Sequence, residues 1–180
     1  MQTYIALLRG INVSGHKIIK MEILRNVLQE LDFKNISTYI QSGNIIFKSD
    51  LKDVNLLENQ IASKIEEHFG FSVPVIIVLP AELKMIVKNN PFSTQKMEDP
   101  TQPYVAFLSE APAPAALEIL GSIDFGNDRF INIDKTLYLF YANSAANTKL
   151  SNAMVKNKLK VTETSRNWKT INKLIDLVEE

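Results

Sequence analysis

The chain has 180 residues, 46% of them hydrophobic, with twenty basic and twenty acidic side chains and no cysteine. That length buries a substantial core as one domain or as two small ones sharing an interface, while the missing cysteine excludes a disulfide framework, a thiolate nucleophile and a zinc ribbon. The cancelled charge removes any overall pull toward nucleic acid or anionic lipid, so such an attraction would have to be local.

The start, MQTYIALLRG, has no positive charge ahead of its apolar run and meets Arg9 after only five apolar residues, too soon for a signal peptide or a membrane span. A cytoplasmic protein is expected. Thr3 to Arg9 suits a strand and runs into a loop rich in Gly, Asn and Ser. Met21, Leu24, Leu28 and Leu31 recur at helical spacing and predict a helix over 20–31. Ile36 to Gln41 and Asn44 to Lys48 flank Ser42-Gly43, which reads as a two-residue hairpin turn. Val54, Leu57, Ile61 and Ile65 mark a helix stopped by Gly70, and Val73 to Leu79 is a last apolar strand.

The order βαββαβ is that of a ferredoxin-like unit. A short helix then opens with Pro80 and stops before Asn90-Pro91. The polar, proline-marked stretch NNPFSTQKMEDPTQP reads as a linker. Tyr104 to Ser109 is a strand, Ala113 to Leu120 a helix, and Arg129 to Ile133 with Thr136 to Tyr141 a hairpin turning at Asp134-Lys135. A helix over 150–158, a short strand over 159–162 and a final helix over 166–178 complete the chain. The expected fold is α+β: two ferredoxin-like subdomains, 1–79 and 104–180, with mainly antiparallel sheets, joined by a helix and linker over 80–103 and carrying an extra C-terminal helix.

One sheet face of a lone ferredoxin-like unit is open, so its strands should alternate apolar and polar. YIALL and VPVIIVL do not. Something therefore covers the second face, most economically the other half of the chain, and an open aromatic platform for stacking RNA bases is not expected despite Tyr4 and Phe47.

LLRGINVSGHK, TYIQSGNIIF, NPF and TSRNWKT, in this order from Leu7 to Thr170, together resemble the bacterial family called domain of unknown function 1697. Ser14 stands where that family usually has the second glycine of a Gly-Gly pair. The resemblance implies a pair of ferredoxin-like halves and brings no established activity.

Gly10 and Gly15 stand at the spacing of G-x-x-x-x-G-K-[ST], but His16 fills the lysine's place, Lys17 comes one residue late and no hydroxyl residue follows. A P-loop is rejected. What survives is an anion pocket for a phosphate- or nucleotide-like small molecule, built from Arg9, Asn12, His16, Lys17 and Lys20 at the loop and the helix start that follows. The plainer alternative is a tight path permitted by two glycines. QSGN is explained by turn geometry, and the 4-1-3-2 sheet is taken to place the end of the first strand and the start of the third at opposite edges. The two loops are therefore not expected to share a ligand within one half.

TSRNWKT is read as opening the last helix, with Thr164 or Ser165 as N-cap and with Arg166, Asn167 and Lys169 at the positive end of its dipole, as further anion ligands. Trp168 joins Ile171, Ile175 and Val178 on one helical face and is assigned to the core. The tract from Lys149 to Lys173 is basic, and gives a second reading as a nucleic-acid module. A third is a protein-interaction scaffold.

Catalytic signals are thin. His16 and His68 have no partner at metal-ligand spacing, so no metal and no cofactor are assigned. Ser14 and His16 lack an orienting acid, and Glu66 and Glu67 point in different directions on their helix. Whether the protein is an enzyme is left open by the sequence: a lysine and an asparagine in a pocket could do acid-base or electrostatic work on a phosphate ester. The oligomeric state is not set by the sequence.

Overall fold

The computed structural model describes residues 1–94 and 99–179, so the four residues 95–98 of the expected linker lie outside the described residues. The chain divides into two compact units, one of Met1–Lys84 with Leu177–Glu180 and one of Met85–Asp176.

The first unit runs β1 (Gln2–Leu8), α1 (Met21–Leu28), β2 (Lys34–Tyr39), β3 (Asn44–Ser49), α2 (Val54–Phe69) and β4 (Val75–Val78), followed by α3 (Pro80–Lys88), which begins here. Its sheet is antiparallel in the order β2-β3-β1-β4, the ferredoxin-like arrangement. α1 ends one turn earlier than its apolar spacing suggested, because Gln29 to Asp32 pass into a turn. Met21, Leu24, Val27 and Leu28 supply its buried stripe. α2 is fixed at both ends: the Asp53 carboxylate accepts from the Leu56 N–H at 3.1 Å, and Gly70 closes the helix at φ 78°. α3 carries a similar device, with Glu82 accepting from the Leu79 N–H at 2.7 Å.

The core of this unit joins Tyr4, Ala6 and Leu8 of β1 to Leu24 and Leu28 of α1 and to Leu57, Ile61 and Ile65 of α2. Ile5 and Leu7 point to the other face, since side chains alternate along a strand, and they are fully buried too. Neither face of β1 is open to water, as the unbroken apolar run requires.

The second unit repeats the order: β5 (Tyr104–Leu108), α4 (Pro114–Gly121), β6 (Arg129–Ile133), β7 (Thr136–Phe140), α5 (Asn152–Leu159) and β8 (Glu163–Asn167), then α6 (Trp168–Glu179), whose last residues join the first unit. Its sheet has the order β6-β7-β5-β8, again antiparallel. Ala106, Leu108, Leu137 and Leu139 pack under α4 and α5 with Leu120, Val155 and Leu159. On the opposite face Val105, Phe107 and Tyr138 are buried as well, and the Tyr138 hydroxyl donates to the Ile86 carbonyl at 2.8 Å.

Four local expectations are corrected. The strand expected at 159–162 forms at Glu163–Asn167, because Lys160 caps α5 in the left-handed region at φ 60° and the chain must turn before pairing with β5. The last helix therefore starts at Trp168, and its N-cap is Asn167, whose Oδ1 accepts from the Thr170 N–H at 2.8 Å, rather than Thr164 or Ser165. Trp168 is half-buried, while Thr170, Ile171 and Leu174 form the buried stripe of α6. The connection between β2 and β3 spans Ile40 to Gly43, both in the left-handed region, because Tyr39 and Asn44 are the closing pair.

Candidate functional site

β1 is a central strand, and its end is held from both sides. The Leu8 N–H donates to the Gly43 carbonyl at 2.8 Å, and the Arg9 N–H donates to the Pro74 carbonyl at 3.0 Å. Beyond Arg9, which is half-buried, the chain makes an irregular excursion to Lys20. Ile11 and Ile19 anchor its two ends in the core, at 2% and 1% exposure, while Val13 to Ile18 are exposed. Five of its residues have positive φ: Gly10, Asn12, Ser14, Gly15 and Lys17. Three of these carry side chains, so the backbone is costly by about 1 kcal/mol or more at each.

Asn12 holds this loop together. Its Oδ1 accepts from the Ile19 N–H at 2.8 Å, and its Nδ2 donates to the Ile19 carbonyl at 2.9 Å and to the Gln41 carbonyl at 2.7 Å. Its own N–H reaches the Lys17 carbonyl at 3.2 Å, and the His16 N–H closes the tip on the Val13 carbonyl at 2.9 Å. Lys17 leans the other way: its Nζ donates to the Ser72 carbonyl at 2.6 Å and lies 5.9 Å from the centre of the Phe71 ring.

The loop after β1, the turn before β3 and the connection before β4 thus gather at one end of the sheet. This overturns the expectation that the first two lie at opposite edges. β1 and β3 are antiparallel neighbours, with Leu7 opposite Asn44, so the end of one strand lies beside the start of the other. Gly43 is the tightest point: a Cβ there would sit 2.7 Å from both Leu8 Cβ and Ile11 Cδ1, and φ is 78°. Fully buried Asn44 braces the turn by donating to the Tyr39 carbonyl at 2.9 Å and to Ser42 Oγ at 3.1 Å.

Of the candidate ligands in this unit, His16, Lys17 and Lys20 present exposed side chains, Lys17 with one donor on the Ser72 carbonyl, whereas the three hydrogen bonds of Asn12 engage its amide within the fold. α1 starts at Lys20 without a side-chain cap, so its first-turn N–H groups add positive potential there, offset in part by Glu22.

Arg166, Asn167 and Lys169 lie in the second unit. Arg166 is buried at 6% exposure in β8, where Nη1 donates to Thr164 Oγ1 at 2.9 Å and to the Ser165 carbonyl at 2.8 Å. Burial pulls its pKa down to about 10, against the favourable charge of Glu163, so it stays protonated at neutral pH. Asn167 is engaged as the cap of α6, and Lys169 is exposed. The basic tract is accordingly distributed over α5 and the residues flanking it, β8 and α6, with one of its charges buried.

Among the described residues no group of three or more His, Asp or Glu side chains is placed to hold a metal ion, and no helix is long and apolar enough to cross a membrane. Sequence reasoning passed over Gln102, Tyr104, Tyr141 and Glu163, all but Tyr104 buried; tyrosines in apolar strands give no periodic signal apart from core.

The family described as protein of unknown function (DUF1697) matches residues 1–138. A solved structure of a conserved bacterial protein from Streptococcus pneumoniae is similar over 100% of this chain and 99% of that one, with a TM-score of 0.71 at 20% sequence identity, a likeness of fold alone. No curated protein matches.

Proposed function

The chain belongs to the DUF1697 family, which brings no activity with it, and we propose from the geometry that the loop between β1 and α1 binds a phosphate-bearing small molecule. One observation carries this reading: exposed His16, Lys17 and Lys20 lie on a loop with three non-glycine residues in the left-handed region, held in place by Asn12. A connection that only joined a strand to a helix would relax into a cheaper path, whereas a costly backbone is kept where ligand geometry matters. Lysine ammonium and imidazole N–H donors beside an uncapped helix start suit phosphate oxygens. Exposed Val13, Ile18 and Ile40, on the same loop and the adjoining turn, suit an apolar or base-like body attached to that phosphate.

Titration with inorganic pyrophosphate and with ATP, followed by backbone amide NMR, tests the reading. Shifts confined to Gly10–Lys20 and Gln41–Gly43 are expected, stronger for ATP because of its base. Amide signals in these segments that stay fixed at millimolar ligand would remove it.

A further inference from the structure

A cavity of about 360 Å³ opens in the second unit, lined by Tyr104, Tyr141, Ser151, Asn152, Ala153 and Ser165 among others. That volume is within the range of small-molecule sites. Tyr104 and Ser165 share one face of the sheet through their alternation about Ala106, and Ser151 is the N-cap of α5.

Tyr141 sets this cavity apart from an ordinary surface hollow. Its backbone is gripped by the buried amide of Gln102: Nε2 donates to the Tyr141 carbonyl at 2.8 Å, and the Tyr141 N–H donates to Oε1 at 3.3 Å. Its ring is only 4% exposed and meets Tyr104 edge-on, with centroids 5.2 Å apart at 63°. Yet its hydroxyl makes no hydrogen bond to any described residue, although every sealed side-chain nitrogen and oxygen in those residues has a partner. The hydroxyl is therefore reached from the cavity. A buried amide thus fixes the position of a residue whose polar end is left open to whatever enters the cavity.

The lining also limits the occupant. None of the six side chains carries a formal charge, so an anion finds no cationic partner in the lining. A buried cation would meet no paired carboxylate in the lining itself. Ser165 Oγ lies 3.0 Å from Asn152 Oδ1 and 3.4 Å from Glu163 Oε2, which leaves the Asn152 amide group to donate. Hydroxyl donors and acceptors beside the faces and edges of two aromatic rings match a molecule that alternates C–H and O–H groups.

We infer that this cavity binds a neutral polyol of monosaccharide size, held by the Tyr141 hydroxyl and the Ser165–Asn152 pair against the Tyr104 ring. Amide NMR titrations with glucose, myo-inositol and inorganic phosphate decide it. At least one of the two neutral probes should shift Ala145, Ser151 to Ala153 and Ser165, and phosphate should not. Tyr141→Phe should weaken that binding at least tenfold without lowering Tm, since the lost hydroxyl has no partner within the protein. Ala153→Phe, at an exposed helix position, should abolish it by filling the cavity. Neither polyol moving these amides, phosphate moving them instead, or both variants binding like the wild type would each overturn the inference.

Discussion

The Asn12 side chain donates to the Gln41 carbonyl at 2.7 Å across a sequence separation of twenty-nine residues, and so ties the loop after β1 to the turn before β3. Both segments follow from one strand pairing. Because β1 and β3 run antiparallel as neighbours, the loop that leaves one and the turn that enters the other share an end of the sheet. Asn12 converts that proximity into a fixed arrangement, which is what the proposed phosphate-binding role of the loop would need.

Replacing Asn12 with Ala removes all three of its side-chain bonds and leaves the Ile19 N–H without its acceptor. A loss of about 2–3 kcal/mol is expected in urea unfolding, with faster amide exchange at Ile19. A variant as stable as the wild type would show that the loop does not depend on this bridge.

Gly43 and Gly10 form a controlled pair. Both have positive φ, 78° and 66°, but a Cβ at Gly43 strikes Leu8 Cβ while one at Gly10 meets nothing within 4 Å. Gly10→Ala should cost about 1 kcal/mol from backbone strain alone, and Gly43→Ala about 3 kcal/mol because overpacking adds to it. Equal losses in thermal unfolding would contradict the close approach.

Lys17→Ala combined with Lys20→Ala should reduce pyrophosphate affinity at least tenfold. Both side chains are exposed, so the double variant should keep stability within about 1 kcal/mol of the wild type. Raising salt should weaken wild-type binding more than that of the variant.

Alkaline pH should unfold the protein through its buried phenols. Burial pushes Tyr138 up to about 12 and raises Tyr141 further, from an ordinary value of 10.0. Above pH 10 the unfolded chain releases these protons while the native state keeps them, so the stability present below pH 10 is lost as pH rises toward 12. Arg166 acts in the opposite sense, since burial holds its folded pKa, about 10, below that of a free guanidinium, and deprotonation relieves a buried charge. With Tyr4, also raised by burial, three phenols oppose one guanidinium, so denaturation midpoints should fall between pH 10 and 12. Tyr138→Phe should flatten that fall.

The order of elements and the doubled βαββαβ pattern were legible because they follow from periodicity and from residues that act locally, such as Asp53 and Gly70 at the ends of α2. Burial of both faces of β1 was legible for the same reason: Ile5 and Leu7 alternate with Tyr4, Ala6 and Leu8 in one unbroken apolar run. Cap assignments failed at TSRNWKT, where Thr164, Ser165 and Asn167 are all good caps and only the pairing of β8 with β5 decides which residue ends the strand.

The sequence by itself determined the order of strands and helices, that glycine is needed near positions 10 and 43, and that cations crowd the loop after β1. Only the tertiary structure decided that Gln41 lies beside Asn12, that Arg166 is buried while Lys17 is exposed, and that Tyr104, Tyr141 and Ser165 line one cavity. The physical reason is that turns and helices are chosen by forces acting over a few residues, whereas a side chain's neighbours are set by strand pairing across tens of residues, where burial and unpaired polar groups decide the outcome.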